Sequence, residues 1–280
     1  MKKYKIIFIG NRPAILQSLI LRNDLEIVSI FTTNIEFISS KIFPSLNIQS
    51  GLNKGNVFDF IKKSKFDILV SAGCPYRLQI EEFPANKIYL NIHPSYLPIG
   101  KGPNPINESF LTNRKYFGIT LHFMTAQIDA GNIVCQKKFK LTEDLDLSLL
   151  FLFIFDLERD VFLKGLNKLI ATSFNFKGKT QIGKCTFFSR KSFIKEINIA
   201  DLSTNKFINF VRAFSVESQS LVFIAKSKRM KCFHATKIIN PFLKKKFQCL
   251  EVGDIFEINN RNIILKLKDG FVRINNFSYE

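Results

Sequence analysis

At 280 residues, with 46% hydrophobic and 23% charged residues, the chain is long enough for one α/β domain and a small second domain. Its 41 Lys and Arg against 23 Asp and Glu leave a formal charge of +18, and residues 171–280 hold 20 of the bases against 8 of the acids. That balance suits a nucleic acid or the phosphates of a sugar nucleotide, and it equally suits a Lys-rich composition set by a low-GC genome.

The five Cys, at 74, 135, 185, 232 and 249, show no paired spacing. They read as free thiols in a reducing compartment, with no zinc site or disulfide frame. The longest apolar run, Leu147–Phe155, is too short to span a bilayer, and the apolar run at the start is only Ile6–Ile9 before Gly-Asn-Arg-Pro. That start is a first strand and not a signal peptide. The expectation is a cytoplasmic protein with no membrane partner.

In chain order, Lys5–Ile9 reads as a buried strand and Pro13 opens a helix to about Arg22. Glu26–Phe31 is a second strand, which makes a right-handed parallel unit. The turn Gly10-Asn11-Arg12-Pro13 is not a G-x-G-x-x-G fingerprint, so no dinucleotide is inferred. Arg12 is either part of a plain tight turn or a phosphate contact at the helix start. Residues 32–53 read as irregular, Val57–Lys63 as a helix and Phe66–Ser71 as a third strand.

Next come two strand-like runs, Lys87–Ile92 and Phe117–Met124. Asn91 and His93 sit at the end of the first, two residues apart, so both side chains can face one cleft. A Pro/Gly-dense loop, PSYLPIGKGPNP, follows them. Ile106–Leu111 is a helix, and Asp129 lies in the turn before a strand at Asn132–Phe139. An amide, an imidazole and a carboxylate on such a rim are what acyl transfer to an amine needs. The imidazole handles the amine proton, the carboxylate orients it, and the amide N–H holds an oxyanion. Asn and Asp near turns also cap them, and a His at a strand end is often structural. His122, among apolar residues, reads as structural.

Asp146–Leu169 reads as one long amphipathic helix, with Leu149, Leu150, Phe153, Ile154, Leu157, Val161 and Leu169 as its apolar stripe. Phe174–Lys184 is a loop, and Phe207–Phe214 a short helix. From about Leu221, short alternating segments predict a small β domain: Val222–Ala225, Met230–His234, Asp254–Ile258, Ile263–Leu267 and Phe271–Ile274.

The pattern N-x-H-P-S-x-L-P-x-x-x-G-P-x-P from Asn91, followed by I-D-A-G-N-I from Ile128, resembles the formyltransferase family that uses 10-formyltetrahydrofolate. The resemblance implies a Rossmann-like, mostly parallel α/β catalytic domain over 1–190 and a small OB-like β domain over 191–280. It implies Asn91, His93 and Asp129 as the catalytic residues and 10-formyltetrahydrofolate as formyl donor; three scattered His and no Cys pairs offer no metal-ligand set. It places Tyr76, Arg77 and Leu78 along the pterin and Gly131 where the backbone approaches it. Lys101 stands where most members have Arg, which keeps the charge and loses the planar fork. Arg12, Lys101, Asn104 and Arg190 are the candidate acceptor contacts.

Cys185-Thr186-Phe187-Phe188-Ser189-Arg190-Lys191 is similar to the T-x-F-x-R-R segment of members acting on sugar nucleotides. Thr32–Gly51 lacks the basic insertion that the tRNA-directed members carry. The implied acceptor is therefore the amine of a nucleoside-diphosphate amino sugar, as in surface-polysaccharide synthesis. Methionyl-tRNA, favoured by the basic C-terminal part, is the alternative, and a non-catalytic binding protein on the same scaffold is a third reading. The oligomeric state is left open, a homodimer included.

Overall fold

The computed structural model describes residues 3–32, 48–50 (backbone only), 53–188 and 196–280. The chain packs as two compact units, one formed by Met1–Gly102, Gly118–Phe139 and Phe153–Phe187, the other by Pro103–Phe117, Lys140–Leu152 and Phe188–Glu280.

The first unit holds a seven-stranded sheet in the order β3-β2-β1-β4-β5-β6-β7. Its strands are β1 (Tyr4–Gly10), β2 (Leu25–Thr32), β3 (Ile48–Ser50), β4 (Ile68–Ala72), β5 (Ile88–His93), β6 (Tyr116–Phe123) and β7 (Ile133–Lys140). β1 to β5 run parallel, and β6 pairs antiparallel with β5. Parallel strands are covered on both faces, so their sequences read as unbroken apolar runs rather than alternation. Ile6 to Ile9 and all five residues of β4 are buried accordingly.

The order reverses between β1 and β4, where open α/β sheets form their ligand crevice. There the chain leaves β1 at Gly10, whose φ is +134°, and an added Cβ would lie 2.0 Å from the Ala72 carbonyl oxygen. Only glycine permits this approach. Helix α1 (Pro13–Ile20) follows with Pro in its first turn, and α2 (Lys54–Lys63) starts where the Asn53 side chain accepts from the N–H groups of Gly55 and Asn56. β3 lies within the stretch expected to be irregular; the sequence there carries no strand pattern, and β3 exists through its pairing with β2.

The single helix expected over Asp146–Leu169 is two helices, α4 (Leu147–Phe151) and α5 (Ile154–Ala171). The ladder breaks at Phe153, whose φ is −131°. The break changes which face is covered: Leu149 and Leu152 are exposed, while Glu158 is buried in the row that continues through Ile154, Val161 and Leu169. Among the described residues no helix is long and apolar enough to cross a membrane.

The second unit holds a six-stranded sheet in the order β11-β12-β13-β10-β9-β8. Its strands are β8 (Glu196–Asn198), β9 (Val222–Ala225), β10 (Lys228–Lys237), β11 (Ile255–Asn259), β12 (Asn262–Leu267) and β13 (Gly270–Tyr279). β8 and β9 pair parallel and the remaining pairs are antiparallel. A short helix, α7 (Pro241–Lys246), which the sequence pattern did not predict, is capped by Asn240.

Two stretches that precede residue 190 pack in this unit, and side-chain bonds show why. The Asn107 amide of α3 (Pro105–Leu111) donates to the Ala213 carbonyl at the end of α6 (Thr204–Ala213) and to Gln219. Arg212 donates to the carbonyls of Thr142 and Leu145, and the Ser148 N–H donates to the Ser215 hydroxyl.

Candidate active site

β5 delivers Asn91 and His93 to the C-terminal edge of the first sheet, on one side of it as period-two alternation requires. The antiparallel register with β6 sets His122 directly across from Asn91 and Thr120 across from His93. Asp129 comes back from the turn after β6 with a φ of +50°, a conformation that Asp and Asn tolerate better than other side chains.

Four polar side chains therefore meet in a buried place. His93 is 7% exposed and His122 2%, and the Asp129 side chain is 10% exposed. The Asp129 carboxylate lies 3.7 Å from His93 Nε2 and 3.4 Å from His122 Nε2. It accepts the Gly102 N–H at 2.9 Å and an Asn91 amide N–H at 3.4 Å.

The hydrogen bonds fix the tautomers, because a carbonyl only accepts. His93 Nε2–H donates to the Gly100 carbonyl at 2.8 Å. Nδ1 is then the one ring nitrogen of His93 that can take up a proton. His122 Nδ1–H donates to the Phe123 carbonyl at 2.7 Å, so its Nε2 accepts from the Asn91 amide at 3.2 Å. Both Asn91 N–H groups are thus engaged, at distances long enough to be weak and exchangeable.

Burial pushes the His93 imidazole below its ordinary value; the Asp129 charge and the Gly100 carbonyl pull it back up in part, and His122 adds to the lowering. The ring is therefore neutral near pH 7 and able to act as a base. Burial pushes the Asp129 carboxyl up, but His93, His122 and the Gly102 N–H outweigh it and hold the group well below the usual carboxylate range. A permanent anion beside a neutral, buried imidazole is the arrangement that favours proton uptake in a transition state.

The other residues singled out by the sequence fall in different places. The Tyr76 hydroxyl is buried with no hydrogen-bond partner among the described residues. A buried polar atom left this way at the exit of β4 fits a bound molecule with a polar edge such as a pterin. Arg77 is exposed and donates to Glu81 and to the Ala126 carbonyl. Leu78 is 3% exposed and packed with Ile7, Ile9 and Phe58 in the core, so its side chain is spent there.

Gly131 needs no ligand to explain it: an added Cβ would sit 1.8 Å from the Phe123 carbonyl oxygen. Arg12 is engaged by Glu158, its Nε donating to the carboxylate at 2.5 Å, and its guanidinium lies over Phe155. The Lys101 N–H donates to the Thr186 carbonyl. Asn104, with a φ of +59°, precedes α3 in the second unit. Arg190 lies outside the described residues. His122 is the site residue that the sequence reading assigned to structure alone. Its signal was the i, i+2 pair Thr120 and His122 on a strand antiparallel to Asn91 and His93, legible only once the register is known.

Residues 36–165 match the family described as formyl transferase. The methionyl-tRNA formyltransferase of Mycoplasmopsis pulmonis is 30% identical over 183 residues, covering 64% of this chain and 62% of that protein, so the aligned part is under two thirds of its length. The methionyl-tRNA formyltransferase of Mycoplasma genitalium is 25% identical over 95% of this chain and 88% of its own. Among solved structures, the N-formyltransferase from Helicobacter canadensis, in complex with folinic acid and dTDP-3-aminofucose, has a TM-score of 0.75 at 18% identity. That match covers 99% of this chain and all of that one. The resemblance carried by the Asn91 and Ile128 motifs is thus met by a family match that includes both, and the fold is that of the solved formyltransferase.

Proposed function

From the formyl transferase match over residues 36–165, we propose that this chain transfers a formyl group from 10-formyltetrahydrofolate to a primary amine on a nucleoside-diphosphate-linked amino sugar. The observation that carries the reading is the buried meeting of Asn91, His93 and Asp129, with the carboxylate 3.7 Å from the imidazole. When bound, the folate supplies an N-formyl group whose carbonyl carbon an amine can attack.

In this reading His93 Nδ1 takes the proton that the amine loses on attack, and later returns one to the departing nitrogen. Asp129 stabilises the imidazolium that forms. Asn91 exchanges its long bonds to His122 and Asp129 for the negative charge developing on the formyl oxygen. Burial of the group keeps water from competing and strengthens each of these interactions. Tyr76 and Arg77, with the backbone at Leu78 and Gly131, line the donor. Arg12 and Lys101 are the candidate contacts to the acceptor's phosphates and sugar.

The Thr186 segment of the sugar-nucleotide type supports the sugar acceptor. Methionyl-tRNA is the second reading, favoured by the curated relatives' names and by the basic residues 171–280. One experiment separates them: incubation of the protein and 10-formyltetrahydrofolate with a panel of dTDP- and UDP-amino sugars, and separately with methionyl-tRNA, followed by mass spectrometry. Gain of one formyl group on a nucleotide sugar is the expected result. Formylation of the tRNA alone, with binding that weakens steeply with salt, replaces the sugar reading. No formylation of any amine leaves a folate-fold binding protein.

A further inference from the structure

The residues after α5 form a segment that neither the Asn91 and Ile128 motifs nor the trio includes. Residues 177–187 lie against both halves of the site. At one end, Lys179 and Ile133 exchange backbone hydrogen bonds of 2.8 Å in each direction, and the Asn132 amide donates to the Lys177 carbonyl. From there the Gln181 side chain reaches the Asp129 turn. Its Nε2 donates to the carbonyls of Asp129 and Gly131, both at 2.8 Å, so one amide clamps the backbone on either side of Ala130.

At the other end, the Thr186 hydroxyl accepts the Gly100 N–H at 2.8 Å, and the Thr186 carbonyl accepts the Lys101 N–H at 2.9 Å. Gly100 is the residue whose carbonyl receives His93, and Gly102 the one whose N–H is accepted by Asp129.

A backbone φ of +50° at Asp129 is tolerated by Asp but still needs support from its surroundings. Without the Gln181 clamp, the Asp129 backbone loses both side-chain bonds that fix the turn, and the carboxylate is left to the Gly102 N–H and the long Asn91 bond. Without Thr186, the Gly100–Gly102 backbone loses what aims one carbonyl at His93 and one N–H at Asp129. An error of about 1 Å in such a pair costs on the order of a hundredfold in rate.

We propose that residues 177–187 are a positioning strap for the His93–Asp129 pair, acting through the Gln181 amide on the Asp129 turn and through Thr186 on the Gly100–Gly102 backbone. The proposal deepens the formyl-transfer reading and rests on it for its meaning, but its test needs neither donor nor acceptor. The groups that face His93 are the Asp129 carboxylate and the His122 ring, whose centroid lies 6.4 Å from that of His93.

The test is the imidazole titration of His93 by NMR of the histidine-labelled full chain. It compares the parent with Gln181→Met, which keeps the length and loses the donors, with Thr186→Val, which loses the hydroxyl, and with Thr186→Ser, which keeps it. The His93 midpoint is expected to fall by about half a pH unit or more in Gln181→Met and Thr186→Val, because Asp129 and the Gly100 carbonyl both support the charged ring. In Thr186→Ser it is expected to return to the parent value.

If Gln181→Met does not fold, the Val and Ser pair at 186 decides alone. Folded Val and Met variants whose His93 titrates as in the parent overturn the proposal, whatever the acceptor proves to be. Where formyl transfer is measurable, Gln181→Met and Thr186→Val should lose kcat about tenfold or more with KM for the amine little changed. A fall in melting temperature with no such split also overturns it.

Discussion

Replacing Asp129 by Asn removes one charge and, of the contacts to the carboxylate, the long 3.4 Å bond from the Asn91 amide. Asn is as tolerant of a φ of +50° as Asp, and its carbonyl oxygen can still accept the Gly102 N–H that Asp129 now accepts at 2.9 Å. The fold should survive. The charge sits 3.7 Å from His93 Nε2; with an effective dielectric of about 20, a unit pair at that distance interacts by about 4 kcal/mol. A transition state that has gained half of the imidazolium charge forfeits about 2 kcal/mol, a factor of about 30, and one with the full charge about 10³.

The direction with pH follows from the same geometry. Asp129 raises the His93 value, so its loss should lower it. The base is active when neutral, and the acid limb of kcat/KM should therefore move to lower pH while the plateau falls. The assay is mass-spectrometric rate measurement with 10-formyltetrahydrofolate and whichever amine the acceptor panel identifies, from pH 5 to 9. An Asp129→Asn enzyme within a factor of about three of the parent, with an unmoved acid limb, would falsify the role given to the carboxylate.

Three other outcomes are expected. Arg12→Ala leaves the Glu158 carboxylate, 1% exposed, without its partner, and should cost about 3–5 kcal/mol in urea unfolding; adding Glu158→Gln should recover most of it. Full stability of the single variant would return Arg12 to the surface. Gly131→Ala forces a Cβ to within 1.8 Å of the Phe123 carbonyl, so either the turn or β6 shifts. A loss of about 3 kcal/mol or more and a much slower enzyme should follow, and a neutral effect on both would be inconsistent with this packing. Finally, His93 is lowered in the folded chain, so below about pH 6.5 the unfolded chain binds a proton that the folded one does not. Stability should fall as pH drops from about 6.5 towards 5, by up to about 1.4 kcal/mol per pH unit from this group. His93→Gln should flatten that part of the melting-temperature profile, and an unchanged slope would count against a buried neutral ring.

The sequence by itself determined the parallel core strands, because strands covered on both sides must be continuously apolar, as Ile6 to Ile9 are. It also determined that Asn91 and His93 share one side of β5, since alternation is a property of the backbone, and the motif around them was specific enough to name a family. What it could not contain was register and breakage. His122 entered the site because β6 pairs with β5 so that His122 faces Asn91, and a slip of one residue would have turned it away. The apolar stripe of residues 146–169 looked unbroken, yet the backbone at Phe153 divides it and buries Glu158 against Arg12. The Gln181 clamp on Asp129 joins residues 52 positions apart through carbonyls that every residue possesses. No one-dimensional pattern marks which backbone oxygen a distant amide will find, and that choice belongs to the packed chain alone.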